Sequence, residues 1–197
     1  MNSDIFTLAP AGAKEKLKRL LSKKRYLHSV ETAKTSLLLS KKSGINIKKA
    51  VTAGLLHDCA KDLSTARTRH YMKKYRIKID EVSLKIPALY HCFTGPHVAR
   101  EVFKVRDREV LEAIRHHTVG SPDMGAVAKV VYVADFTEES RKYKGSERVR
   151  RLLKKNTGLD SLVYEVLSGK LCYLISKDKI IHESAVDLWN ELVYNLR

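Results

Sequence analysis

Two histidines and two aspartates adjoin apolar segments that lie far apart in the chain. His57 and Asp58 directly follow the apolar run GLL, Asp135 directly follows VVYVA, and His28 lies near the start of another apolar stripe. Imidazole nitrogen and carboxylate oxygen together suit a divalent transition metal such as iron, manganese or zinc. A buried carboxylate is costly unless it is paired or bound to a cation. The pattern therefore predicts a metal site.

Helices are needed to bring these four residues together, and apolar residues recur at helical spacing around each of them. Gly44 predicts a helix C-cap, Ser64 and Asp107 predict N-caps, and Ser121 with Pro122 predicts a further helix start. The predicted helices cover residues 13 to about 24, 26–44, about 48–58, 64–75, 88–102, 107–117, 121 to about 135, 160 to about 175 and about 183–196.

Gly95 and Pro96 predict a break or turn within the fifth of these segments. The stretch YRIKI (75–79) is too short and too basic to indicate a strand. With strand signals almost absent, the sequence predicts an all-α helical bundle in which only two helices, 160–175 and 183–196, follow the aspartate motif.

The composition fits one folded domain over residues 1–197, since 44% of residues are hydrophobic, 30% are charged and nothing reads as a linker or repeat. No signal peptide or membrane span is evident, so we expect a soluble cytoplasmic protein. Cys59, Cys92 and Cys172 are odd in number and widely spaced, so neither a disulfide framework nor a CxxC metal site is indicated, and we interpret them as buried or inert thiols.

The formal net charge of +16 favours polyanionic partners. Basic runs such as KEKLKRLLSKKR (14–25) and ERVRRLLKK (147–155) are typical of solvated helix faces, and a surface that contacts RNA is the other interpretation. The chain shows neither a glycine-rich phosphate loop nor a serine triad, which argues against kinase and acyl-transfer chemistry.

Five segments in a fixed order resemble the HD-domain metal-dependent phosphohydrolases, and more narrowly their YqeK branch. The central feature is the order H…HD…D, here His28, His57 with Asp58, and Asp135. The segments are KRYLHSVETA (24–33), LLHDCAKD (55–62), LYHCFTG (89–95), AIRHHTVG (113–120) and ADFTEESR (134–141). The C-terminal helices, about 160–196, fit this family less specifically.

This resemblance implies an all-helical HD domain that hydrolyses symmetrical dinucleoside polyphosphates, converting diadenosine tetraphosphate into two ADP with a metal-activated water. It also implies two divalent metal ions, iron first among the candidates and manganese or zinc as alternatives. The implied ligands are His28, His57, Asp58, His91, His117 and Asp135. His116 competes with His117 for this role, and His117 is preferred because it directly precedes Thr118. His97 is interpreted as a surface or hydrogen-bonded core histidine, with metal binding as the alternative because it is close to His91 in the sequence.

Four residues are expected to contact the substrate: Arg25, Lys61, Thr118 and Arg141. Lys61 lies one helical turn after His57, so it is expected either to pair with Asp58 or to touch a phosphate. Asp58 and Lys61 are the predicted catalytic residues. The two arginines lie near metal ligands in the sequence, and their forked donors match phosphate oxygens.

Two other functions also fit these residues. The chain could be an HD phosphohydrolase of other nucleotides, such as nucleoside triphosphates, cyclic nucleotides or guanosine polyphosphate alarmones. It could also be a basic module that binds RNA or ribosomes and has a secondary HD site. The metal identity and count, the preferred base and the oligomeric state, a homodimer being one option, are not determined by the sequence.

Overall fold

The computed structural model describes residues 5–155 and 157–196, and every regular element in them is helical. The all-α prediction is confirmed. The α-helices are α1 (Ala13–Leu20), α2 (Lys23–Ser43), α3 (Ile47–Leu56), α4 (Thr65–Lys74), α5 (Glu81–Leu84), α6 (Tyr90–Phe103), α7 (Arg108–His116), α8 (Ala126–Thr137), α9 (Lys144–Lys154), α10 (Leu159–Ile175) and α11 (Glu183–Asn195). A short 3-10 turn, Pro87–Leu89, precedes α6.

Three predicted helix caps are present in the structure. Gly44 ends α2 with a φ of 66°, a left-handed conformation that glycine adopts without a steric penalty. The Ser64 side chain accepts a hydrogen bond from the Arg67 amide, and the Asp107 side chain accepts one from the Val110 amide. These side chains satisfy backbone donors that would otherwise lack a partner at the starts of α4 and α7.

The predicted break at Gly95 and Pro96 is wrong, because α6 continues through both residues. Proline removes one intrahelical hydrogen bond, the one that the Cys92 carbonyl would accept. Burial of the helix compensates for this loss, since Cys92 and Val98 are almost completely inaccessible to solvent. Gly95 serves packing instead, because a Cβ there would lie 2.9 Å from the Ile114 side chain of α7.

Two predicted helix boundaries are also wrong. α1 ends at Leu20 rather than near residue 24, because Leu21 adopts an extended conformation before α2 begins. α8 begins at Ala126 rather than at 121, because the Ser121 hydroxyl accepts a hydrogen bond from the Asp123 amide and forms a turn. A side-chain bond of this kind competes with helix formation.

The count of two helices after the aspartate motif is wrong as well, because α9 is a third. Its sequence, KGSERVRRLLK, carries an early glycine and many charges, which masked the helical pattern. Only Ser146 and Val149 of α9 are buried, so packing of a narrow face on α8 and α10 stabilises this helix.

The core is one continuous hydrophobic cluster that extends from Ile5 to Leu192. α8 lies at its centre and packs on α2, α3, α7 and α10. α2 and α3 approach closely because Gly54 lacks a side chain, and a Cβ there would lie 2.5 Å from the Ser36 hydroxyl. This packing brings the start of α2 and the ends of α3, α7 and α8 to one side of the bundle.

The continuity of the core supports the expectation of one domain over 1–197. That expectation stays a prediction, and it includes residues 1–4, 156 and 197, which lie outside the described part of the chain. Within the described part, no helix is both long enough and apolar enough to cross a lipid bilayer.

Candidate metal centre

The six residues that the sequence analysis selected as ligands lie together where helix ends converge. We divide them, with two further residues, by position. The inner group is His57, Asp58, His91 and His117, all at most 6% exposed. The outer group is His28, Asp135, Glu138 and Arg141, and it lies nearer the solvent apart from the fully buried Glu138.

The three inner histidines are oriented by the same backbone device. In each, the Nδ1 atom lies within hydrogen-bond distance of the carbonyl three residues earlier. Because a carbonyl can only accept, Nδ1 donates, and in the neutral ring the lone pair on Nε2 faces the centre. The pairs are His57 with Gly54 (2.7 Å), His91 with Ala88 (2.7 Å) and His117 with Ile114 (2.9 Å).

Asp58 lies between the inner histidines. Its Oδ1 is 3.2 Å from Nε2 of His91 and 3.5 Å from Nε2 of His117, and its Oδ2 is 3.8 Å from Nε2 of His57. Burial alone would raise the pKa of this carboxyl, but His57, His117 and His91 hold it well below the usual range. Burial lowers the pKa of His57 to about 4. Asp58 is therefore ionised and His57 neutral near pH 7, the protonation states that metal ligation requires.

The outer group is oriented by side chains instead. Nε2 of His28 lies 2.9 Å from Oδ1 of Asp135 and 3.1 Å from Nε2 of His57, while its Nδ1 lies 3.2 Å from Oε1 of Glu138. Burial opposes protonation of His28, but the hydrogen bonds to Asp135 and Glu138 outweigh it and raise its pKa to about 9. Despite burial, His28 and His57 hold the pKa of Asp135 well below its usual range.

Sequence reasoning missed Glu138. Its carboxylate contacts His28 and accepts a 2.7 Å hydrogen bond from the Ser140 amide, and Nε of Arg141 is 3.5 Å away. The available signal was its position three residues after Asp135, which places both side chains on one helix face. A carboxylate that binds the far nitrogen of a metal-ligating histidine fixes the ring orientation, so Glu138 fits the role of a positioning residue.

Three sets of side chains in the described part of the chain bring ligand atoms within 4.8 Å of one another. Two of them are His28, His57 with Asp58, and His57, His117 with Asp135; the third is His91, Cys92 with His117. The first two offer nitrogen and oxygen donors, which suit iron, manganese or zinc. The residues therefore fit the divalent metal that their types predicted.

The predicted burial is confirmed for Cys59 and Cys92, whereas Cys172 is exposed. Cys92 also has polar contacts. Its Sγ lies 3.4 Å from Nε2 of His91 and 3.2 Å from the Thr118 hydroxyl. Burial disfavours the thiolate, but His91 and His117 lower the pKa of Cys92 to about 6. The pKa of His91 shifts in the opposite direction. Burial disfavours its charged form, but Cys92 and Asp58 raise its pKa to about 9. Cys59 is also buried, and burial raises its pKa.

The remaining histidines lie outside the cluster. His117 rather than His116 contributes an Nε2 atom to it, 3.2 Å from Nε2 of His91. His97 stacks on the Tyr75 ring, with centroids 4.3 Å apart. His182 caps α11 by accepting from the Ser184 amide.

The four predicted substrate contacts line one cleft of about 620 Å³ above the cluster of candidate ligands, and we call it the polar cleft. Lys24, Arg25, Lys61, Thr118, Glu138 and Arg141 are among its lining residues. Lys61 does not pair with Asp58; its Nζ lies 3.1 Å from the His91 ring nitrogens, because the helix ends before it and residues 57–62 form turns.

The two arginines of the polar cleft contact carboxylates. Nε of Arg25 donates to Oδ1 of Asp62 at 2.6 Å, and its Nη1 is 3.9 Å from Oδ2 of Asp58. Nη2 of Arg141 lies 2.9 Å from Oδ1 of Asp135. A cleft with cations on its walls and candidate metal ligands at its base has the chemistry to bind a phosphate ester.

Comparison with known proteins shows relatives along most of the chain. The family model described as HD domain matches residues 25–140. The chain is 29% identical to the symmetrical bis(5'-nucleosyl)-tetraphosphatase of Bacillus subtilis (strain 168), over 90% of this chain and 94% of that protein. It is also 29% identical to the Staphylococcus aureus (strain NCTC 8325 / PS 47) protein of that name, over 92% and 95%.

A solved structure is also similar to this chain. The crystal structure of a predicted HD superfamily hydrolase involved in NAD metabolism, from Clostridium acetobutylicum, matches with a TM-score of 0.86 and 27% sequence identity. The match covers 93% of this chain and 96% of that one.

Proposed function

Because the chain belongs to the HD domain family, we propose that it is a metal-dependent phosphohydrolase that cleaves diadenosine tetraphosphate into two ADP. The observation that carries this proposal is the cluster of six histidine and aspartate ligands at the base of a cleft with basic walls. The near full-length similarity to two symmetrical bis(5'-nucleosyl)-tetraphosphatases supports the choice of substrate.

We expect the inner histidines, His28 and both aspartates to hold two divalent ions, with iron preferred over manganese or zinc. The two mixed donor sets, which share His57, support a count of two. Such ions, when bound, activate water and stabilise charge on phosphate oxygens. The inner and outer groups then serve to hold the ligand atoms in place, so that little reorganisation is needed during the reaction.

The residues of the polar cleft bind and orient the tetraphosphate. Lys61 lies beside His91, Arg25 lies near Asp58, and Arg141 lies beside Asp135. All three cations attract the tetraphosphate, and the positive charges of Lys61 and Arg141 also offset the charge that develops on the leaving phosphate. Thr118, whose hydroxyl is 2.8 Å from Nε2 of His117, can donate to a phosphate oxygen at the base of the cleft.

Three sequence-based expectations stay predictions: cytoplasmic location, contact of the basic surface with RNA, and a homodimer. The alternative HD substrates also share this cleft chemistry, because the ligands recognise a phosphate rather than a base. The nucleotide that the protein prefers therefore distinguishes the proposed function from these alternatives.

The test is a substrate panel with the purified, metal-replete protein. We expect ADP to be the sole nucleotide product from diadenosine tetraphosphate, formed faster than products from nucleoside triphosphates, cyclic nucleotides or alarmones. A clear preference for another member of the panel would contradict the substrate. Metal retention without any hydrolysis would contradict the enzymatic function.

A further inference from the structure

A second cleft, of about 520 Å³, opens beside the polar cleft and differs from it in chemistry. We call it the apolar cleft; its walls include Leu89, Leu167, Lys170, Leu171, Leu174 and Ile180. Thr118 and Asp135 line both clefts, so the apolar cleft begins at the metal cluster. A ligand can therefore occupy both clefts at once.

Lys170 stands at this junction. Its Nζ donates to the Thr118 carbonyl at 2.9 Å and lies 3.7 Å from the centroid of the Tyr132 ring. An ammonium has three donors. Within the described part of the chain, no carboxylate lies within ion-pair distance of the Lys170 ammonium. Burial lowers its pKa to about 8. It is therefore still largely protonated at neutral pH and presents unused donors to a ligand.

Resting on the proposed function, we propose that the apolar cleft binds one nucleoside of the substrate and that Lys170 contacts the phosphate next to that nucleoside. A base and ribose offer faces that pack on leucine and isoleucine side chains, and the cleft volume is in the range of small-ligand pockets. The substrate consists of an apolar-faced group joined to an anionic chain, which matches an apolar cleft joined to a basic one.

His182 also lines the apolar cleft, but its ring nitrogens already have partners. Nε2 lies 3.1 Å from the Ser83 hydroxyl and 3.2 Å from Oδ1 of Asp80, and Nδ1 accepts from the Ser184 amide. Recognition by this histidine would break those bonds. Nucleoside affinity therefore depends on contact with the apolar walls, and blocking those walls is the direct test.

The test uses Leu171→Trp, which fills the apolar cleft, and measures equilibrium binding of two probes that the enzyme does not turn over. ADP carries the nucleoside, whereas methylene bisphosphonate carries only a phosphate-like anion. We expect Leu171→Trp to weaken ADP binding at least about tenfold and to leave bisphosphonate binding within about twofold. Leu38→Trp, on the exposed surface of α2, is the matched control and should change neither affinity.

Lys170→Met tests the second half of the proposal. It should weaken ADP binding about tenfold while leaving the binding of adenosine, which lacks a phosphate, unchanged. Equal ADP affinity in wild type and Leu171→Trp would overturn the assignment of the apolar cleft. An equal loss of ADP and bisphosphonate affinity in Leu171→Trp would also overturn it, because the metal cluster would then be the part affected.

The two proposals fail in different ways. A wild-type protein that binds ADP through the apolar cleft but does not cleave diadenosine tetraphosphate contradicts the proposed function alone. If the wild-type protein cleaves this substrate and Leu171→Trp cleaves it at the same rate, only the nucleoside assignment is contradicted.

Discussion

The inner and outer groups hold similar side chains in different ways. Each inner histidine is oriented by a carbonyl three residues earlier, so the end of its own helix sets its direction. His28, in the outer group, is oriented by Glu138, which is 110 residues away in the sequence. The inner group therefore depends on local backbone geometry, and the outer group depends on the packing of α2 against α8. Substitutions should separate the two groups.

The largest effect should come from removing the charge at the middle of the inner group. Asp58→Ala leaves three buried imidazoles without the carboxylate that lies among them. We expect metal content to fall to background and ADP release to drop more than roughly 100-fold, beyond the loss typical of residues that only support a ligand. Metal analysis and steady-state kinetics measure this, with the exposed Asp187→Ala as control. Activity within tenfold of wild type would contradict the role of Asp58.

A smaller effect should follow from disturbing the outer group alone. Glu138→Gln keeps the side-chain size but removes the charge beside His28, so we expect metal affinity or activity to fall roughly 10–100-fold. The donor set of His57, His117 and Asp135 does not include His28 and should retain its metal, which predicts less than the wild-type metal content but not an empty protein. Glu139→Gln, at the exposed neighbouring position, is the matched control. Wild-type metal content and kinetics in Glu138→Gln would refute a positioning role.

The pH dependence of the free energy of unfolding of metal-free protein reports on the contact between His28 and Glu138. The pKa of His28 is raised from 6.5 to about 9, so its contribution is fully present below pH 6.5 and is lost as the pH rises through about 9. The pKa values of His91 and Cys92 shift in opposite directions, so the pH dependence of wild-type stability includes contributions from several groups. The difference between wild type and Glu138→Gln removes those shared contributions.

We therefore expect thermal unfolding in chelator to show wild type more stable than Glu138→Gln below pH 6.5. Each kcal/mol of difference corresponds to roughly 2–4 °C in a chain of this size. The gap should close between pH 6.5 and 9. A gap of constant size across that interval would show that the charge on His28 does not contribute to it.

The smallest effect should come from the rim of the polar cleft. Arg25 is partly exposed and already paired with Asp62, and exposed pairs of this kind contribute up to about 1 kcal/mol. We expect Arg25→Gln to raise KM about fivefold with little change in kcat, because substrate and transition state lose the same contact. Arg148→Gln breaks a comparable exposed pair with Glu165 and serves as control. A fall in kcat as large as that of Asp58→Ala would place Arg25 in the reactive centre.

The burial of His57 and Asp58 could be predicted from the sequence, whereas the contacts around them could not, for a physical reason. His57 and Asp58 follow an apolar helix, so their burial and the need for a cation could be inferred locally. Orientation of His28 by Glu138 depends on the approach of two helices, and Lys170 reaches Thr118 across 52 residues. Neither contact has a local signal in the spacing of residues.

The same distinction explains the errors in the fold. Apolar periodicity predicted most helices, and side-chain oxygens correctly predicted the caps at Ser64 and Asp107. The helix start predicted at Ser121 was wrong because the Ser121 hydroxyl accepts a hydrogen bond from the Asp123 amide in a turn. The break predicted at Pro96 was wrong because tertiary burial maintains α6 around it. In both cases a competing contact, invisible in the local pattern, determined the structure.

The walls of the apolar cleft come mainly from α10 and the residues that follow it, whereas the inner and outer groups all lie between residues 28 and 141. The proposed metal ligands and most walls of the proposed nucleoside site therefore lie in consecutive stretches of the chain. Under that assignment, we expect an exchange of the 17-residue α10 between related proteins to change nucleoside preference and to leave every proposed metal ligand in place. This division makes the molecule a scaffold for reprogramming substrate choice without redesigning its reactive centre.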